Sequence, residues 1–277
     1  MSYARRPEQT ATELRTALDR LIEETRNGQL STARRKRLED EIRSSIESLS
    51  GLLGDLDPIR QPTSVFDPSN PKVVGRFVAL ALVAQPRRPM TEIVKTYGSG
   101  VYSIYYSGDY PLYTPLSGSE TPIYVGQASP ISSSARSPKD QGDKLSRRLN
   151  EHRKNIRRSA TTLRVEDFEY RSLVVQSGWE TAAEDYLIHL FKPIWNSETR
   201  LVFGLGKHGD AAETRANRRS PWDTLHPGRE WADNPLLVDA KTVETITAEL
   251  TTHFARHPVF SDIDTVLMSF IEELRQV

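Results

Sequence analysis

The sequence predicts an α/β fold, a compact unit ordered strand, strand, helix, strand, helix, with further helices before and after it. Three observations carry that expectation. Two short β-prone runs, VYSIYY at 101–106 and PIYVG at 122–126, flank a turn-rich stretch. A charged segment at 144–158 keeps Leu145, Leu149 and Ile156 on one helical face. An alternating run of Phe168, Tyr170, Ser172 and Val174 then precedes an apolar-striped segment at 182–191, which Pro193 stops.

The elements follow in order. Residues 10–53 read as two helices, one striped by Leu14, Leu18, Leu21 and Ile22, the other by Leu38, Ile42, Ile46, Leu49 and Leu53. Gly28 and the Ser31-Thr32 pair supply the turn between them. Residues 57–71 are rich in proline and turn formers and read as a connector. The apolar run 73–84 suits a buried helix and is too short to span a bilayer. Residues 107–121 form a long hairpin loop, and 201–235, rich in Gly, Pro, His and Arg, read as extended loops. Two helices, at 243–254 and 263–274, close the chain. The expected organisation is a helical hairpin (1–56), a connector with a buried helix (57–96), an α/β core (97–200), and loops with C-terminal helices (201–277).

The absence of cysteine excludes disulfides and thiolate zinc sites. The N-terminal residues lack an apolar signal region, and no apolar run is long enough to cross a membrane, so a cytoplasmic location is expected. The net charge is zero, which alone argues against a nucleic-acid partner. The charge is unevenly distributed, however. Residues 136–158 carry nine Lys/Arg against three Asp/Glu, while 235–277 carry three against seven. A basic central element is masked by an acidic tail.

Several polar residues sit oddly beside apolar stripes. Arg148 and His152, four apart, share one helical face with Leu145, Leu149 and Ile156. They are either an edge pair snorkelling past the stripe or part of a site. Glu184 lies among Ala183, Leu187, Ile188 and Phe191 and needs a salt bridge or a bound Mg²⁺. Asn196, just past a helix end, suits a turn or cap. Tyr102 and Tyr124 fit the edges of a sheet core. Phosphodiester hydrolysis would unite them. It needs a proton acceptor for water, a cation on the phosphate and help for the leaving oxygen. Tyrosine is a poor base until a partner relieves its proton, arginine forks onto phosphate, and one carboxylate suffices for Mg²⁺.

The order Gly100-Val101-Tyr102, Tyr124-Val125-Gly126, Arg148-x-x-x-His152, Glu184, Asn196 resembles the GIY-YIG nuclease superfamily. The resemblance covers roughly 97–200 and implies a small three-stranded antiparallel sheet flanked by helices. A closer likeness, over about 56–233 and including SPWDTLHPGREWA, is to GIY-YIG Type II restriction endonucleases of the group that cuts CCGCGG. It implies a homodimer on double-stranded DNA with Mg²⁺ as cofactor. Tyr102 would then be the base, helped by His152, and Tyr124 would hold phosphate or water. Arg148 would stabilise the phosphorane, Glu184 would bind Mg²⁺, and Asn196 would hydrogen-bond within the site. Arg147, Lys154, Arg157 and Arg158 become phosphate contacts. Lys207, His208, Arg215, Arg218, Arg219, His226 and Arg229 become candidate readers of a GC-rich site. Two departures stand out: the loop between the tyrosine motifs is long, and Gln127 replaces a lysine that many members carry there. The alternatives are a structure-specific repair nuclease of the same superfamily and a non-catalytic DNA-binding regulator. Glu169-Tyr170-Arg171 is only a weak echo of another nuclease motif.

Overall fold

Every residue of the run 100–106 is buried, and it forms the central strand of a sheet covered on both faces. The computed structural model describes residues 6–27, 31–56, 59, 62, 65–176, 178–206 and 218–275. The chain divides into two units, Met1–Thr63 and Ser64–Val277.

The first unit is the expected hairpin, α1 (Pro7–Asn27) and α2 (Thr32–Leu56). Its stripes do not form a closed core. Leu14, Leu18, Ile42, Ile46 and Leu49 stay exposed along a groove between the two helices.

In the second unit α3 (Pro71–Val83) begins at Asn70, whose side chain accepts from the Lys72 N–H at 2.9 Å, with Pro71 in the first turn. The sheet contains β1 (Arg88–Pro89), β2 (Gly100–Tyr106), β3 (Tyr124–Ala128) and β4 (Phe168–Val174). Their order is β1-β4-β2-β3, and all pairs are antiparallel. The expected three strands are present, and the two-residue β1 adds a fourth at one edge. Alternation along β2 divides the core. Tyr102, Ile104 and Tyr106 face α5 (Lys144–Arg158) through Leu145, Leu149 and Ile156. Val101 faces α3 and α6 (Glu180–Phe191) through Ala79, Leu82, Ala183 and Leu187. The short α4 (Pro138–Gln141) leads into α5.

Two segments expected as loops are packed instead. Within the hairpin connection, Tyr113 and Leu116 enter the core on a short 3-10 turn. The extended-loop expectation for 201–235 is corrected for its described part. Leu201, Val202, Leu205, Trp222 and Leu225 are buried. This part also contains β5 (Arg218–Arg219) and α7 (Pro221–Leu225). A parallel partner for β5 comes from β6 (Val238–Asp239). The physical reason is that its polar residues are paired internally, so its low apolar content did not leave it in solvent. Helices α8 (Val243–Arg256) and α9 (Ile263–Leu274) complete the unit. Among the described residues, no helix is long and apolar enough to cross a membrane.

Candidate active site

The pairing of β2 with β3 builds the floor of the site. Tyr102 lies directly opposite Gly126, and Tyr124 is two residues back on the same face. The two phenol rings are 6.1 Å apart. Gly126 makes this possible, because a Cβ there would meet Tyr102 Oη at 2.5 Å and Tyr124 Cε1 at 2.9 Å. Gly100, at φ +152°, lets β2 approach the β4 carbonyl of Leu173 with no room for a side chain.

Helix α5 supplies the next layer. His152 is fully buried, and its Nε2 shares a 2.7 Å hydrogen bond with Tyr102 Oη. Its ring also sits 4.9 Å from that of Tyr124. Arg148, one turn earlier, keeps its guanidinium near both phenols and donates to Glu151 Oε2 at 3.0 Å. Burial pushes the Tyr102 phenol well above its ordinary value; Tyr124 adds to this and Arg148 opposes it. Burial likewise raises the Tyr124 phenol, with Arg148 pulling it down and Glu184 pushing it up. Burial disfavours the Arg148 charge, yet Tyr102, Tyr124 and Glu151 outweigh it and hold the group above the usual arginine value. Both phenols therefore rest neutral, beside one fixed positive charge.

Glu184 approaches from α6. Burial pushes its carboxyl up to about 7; repulsion from Glu198 and Asp185 adds to this, and the backbone and side-chain amides of Gln127 pull it back. Gln127 Oε1 also accepts from Thr181 Oγ1 at 3.2 Å, one turn earlier on α6. Among the described residues Glu184 forms no ion pair, so the ordinary salt-bridge reading of this carboxylate finds no partner there. Nor do three or more His, Asp or Glu side chains gather among the described residues to cage a metal. One half-buried carboxylate fits a hard divalent cation that keeps most of its waters.

Asn196 acts on the backbone. Its Oδ1 accepts from the Val125 N–H and its Nδ2 donates to the Val125 carbonyl, both at 2.9 Å. It clamps the free edge of β3 between Tyr124 and Gly126 and does not reach toward the phenols.

The basic residues of α5 divide by face. Arg147, Lys154, Arg157 and Arg158 are exposed. Lys207, His208 and Arg215 lie outside the described residues. Arg229 corrects the expectation of a DNA contact. It is 1% exposed, donates from Nε to Asp223 Oδ1 at 2.6 Å, and stacks over Trp222 and Trp231. A guanidinium removed from water with its charge already matched is not available to a base edge. His226 is also buried; burial and Arg229 lower it to about 3, so it stays neutral, sharing a 2.6 Å bond with Tyr113 Oη. Arg219 is bound to Asp239 at 2.7 Å, while Arg218 remains exposed. The Glu169-Tyr170-Arg171 echo is also spoken for, since Glu169 meets Arg87 and Arg171 meets Glu120.

Sequence reasoning missed Glu151 and Thr181. Glu151 follows Arg148 at i+3 and Arg147 at i+4, a helical ion-pair spacing that would have identified it. Thr181 carries no such signal, because its partner Gln127 is far away in sequence.

A family model described as the Eco29kI GIY-YIG domain matches residues 94–254. The match begins before β2 and runs almost to the end of α8, so it spans the whole ordered motif from Gly100 to Asn196. No curated protein matches the chain.

Proposed function

From the premise that the chain belongs to the Eco29kI GIY-YIG family, a restriction endonuclease family, we propose that it is a Type II enzyme. It hydrolyses both strands of double-stranded DNA at a short GC-rich palindrome, CCGCGG in the closest reading, as a cytoplasmic homodimer. The single observation that supports the chemistry best is the Tyr102–His152 hydrogen bond at 2.7 Å, with Arg148 beside both phenols.

Water attacks phosphorus. Tyr102 takes the water proton while its own proton passes to His152 Nε2 along the bond that already joins them. Tyr124, which is less deeply buried than Tyr102, orients the phosphate or the water. Arg148 balances the charge that accumulates on the non-bridging oxygens. As the new P–O bond forms, the bond to the 3′ oxygen breaks and that oxygen takes a proton from solvent water, leaving a 5′-phosphate and a 3′-hydroxyl, while His152 returns its extra proton to solvent. Glu184 would hold Mg²⁺, which when bound assists the leaving oxygen and neutralises phosphate charge. Asn196 serves indirectly, by fixing the strand between Tyr124 and Gly126. Arg147, Lys154, Arg157 and Arg158 contact the DNA backbone, with Lys207 and His208 beyond the described residues as candidate readers.

A plasmid digest with Mg²⁺ tests this reading. Discrete fragments with ends that map to one palindrome are expected. Nicking confined to branched or flapped DNA would move the protein to a repair role, and binding without cleavage in Mg²⁺ and Mn²⁺ would reduce it to a regulator.

A further inference from the structure

The buried residues of 219–232 do not touch the reacting groups, yet they hold a stretch of main chain that does. Arg229 uses its guanidinium as a three-way clamp. Besides the Asp223 bond, it donates from Nη2 to the Gly204 carbonyl at 3.0 Å and from Nη1 to the Leu205 carbonyl at 3.3 Å. Asp223 is itself fixed by Ser220, whose hydroxyl donates to Oδ2 at 2.5 Å. From the other side Asn155, on the catalytic helix α5, donates Nδ2 to the same Leu205 carbonyl at 2.8 Å. Two carbonyls in succession are thus pinned between α5 and the Arg229–Asp223 pair.

The next residue is Gly206, and it lies against the catalytic groups. A Cβ built there would stand 2.8 Å from Arg148 Nη2 and 4.0 Å from His152 Cε1. Gly206 is not in the left-handed region, so an alanine there is strained only by what it meets. What it meets is the working end of Arg148.

We infer that the Asp223–Arg229 pair and Gly206 form a positioning device for catalysis. The clamp holds residues 204–206 as a wall over α5, and the missing side chain of Gly206 leaves the space in which the Arg148 guanidinium sits beside the phenols. This rests on the proposed role of Arg148. Two directional donations from one planar group reach the wall while a third ties that group to Asp223, an arrangement lysine cannot reproduce. Displacing a phosphate-stabilising group by about an ångström costs on the order of a hundredfold in rate.

The test is Gly206→Ala in the full-length protein, with Arg229→Lys and Arg148→Ala alongside. Single-turnover cleavage in Mg²⁺ and DNA affinity in Ca²⁺ are measured separately. Gly206→Ala should slow cleavage roughly tenfold to a hundredfold, with DNA affinity within about twofold and an unchanged melting temperature. Arg229→Lys should slow cleavage in the same way; should it fail to fold, Gly206→Ala still decides. Wild-type cleavage by Gly206→Ala overturns the inference, as does a rate loss matched by an equal loss of affinity. The two layers can be told apart. If Arg148→Ala cleaves normally, the catalytic reading falls and the inference with it. If Arg148→Ala is inactive and Gly206→Ala is normal, only the inference falls.

Discussion

Replacing Glu184 by glutamine should stabilise the metal-free protein, and by an amount that depends on pH. The carboxyl is pushed from its reference value of 4.5 up to about 7, chiefly by burial and then by Glu198 and Asp185. A folded-state pKa above the unfolded one means that the native protein binds this proton more tightly. Native stability therefore falls as pH rises from about 4.5 to about 7 and stays lower above that. At about 1.4 kcal/mol per unit, the ceiling on the penalty is about 3 kcal/mol. The glutamine variant never ionises and escapes it. For a unit the size of Ser64–Val277, this corresponds to a melting temperature higher by roughly 6–12 °C at pH 8 in chelator. The four tryptophans, Trp179, Trp195, Trp222 and Trp231, all lie in this unit and report its unfolding by fluorescence. At pH 4 the two proteins should melt together. Added Mg²⁺ should raise wild type selectively, since a ligand that binds only the native carboxylate stabilises by mass action. Equal melting temperatures at pH 8, or a gap that persists undiminished at pH 4, would refute the reasoning.

Three further outcomes are expected. Tyr102→Phe removes the phenolic proton path to His152 and should lower single-turnover cleavage by about 10²–10⁴ while DNA affinity holds; a loss under tenfold would reassign the base. Gln127→Met removes the amide that faces Glu184 and should weaken Mn²⁺ binding, followed by electron paramagnetic resonance, by about 10- to 100-fold; unchanged affinity would leave Gln127 without a part in the metal site. Arg229→Met strands the buried Asp223 carboxylate and should cost about 3–5 kcal/mol in urea unfolding, whereas a surface DNA contact would cost almost nothing in stability and would show up in affinity.

The fold was legible where periodicity was strong. Strand β2, the stripe on α5 and the alternation of β4 all follow from local pattern, and the ordered motif placed Tyr102, Tyr124, Arg148 and His152 around one point. Position was harder to read where the partner is distant in the chain. Arg229 sits in a sequence rich in turn formers and carries the same charge as a DNA-reading residue. Only the fold shows that Asp223 and two carbonyls consume it. Asn196 was legible as a residue of the motif, but its target is the backbone of Val125, and no spacing rule points to a backbone group 71 residues away. Glu151 was legible in principle from its helical spacing.

Asn196 has a consequence beyond cleavage. Strand β3 is the outermost member of the sheet on its side, and an outer strand presents unpaired amides and carbonyls that another chain can dock onto. The Asn196 carboxamide occupies both backbone groups of Val125 at the middle of that strand. One side chain thus occupies, at that point of the edge, both backbone groups on which an added strand would pair.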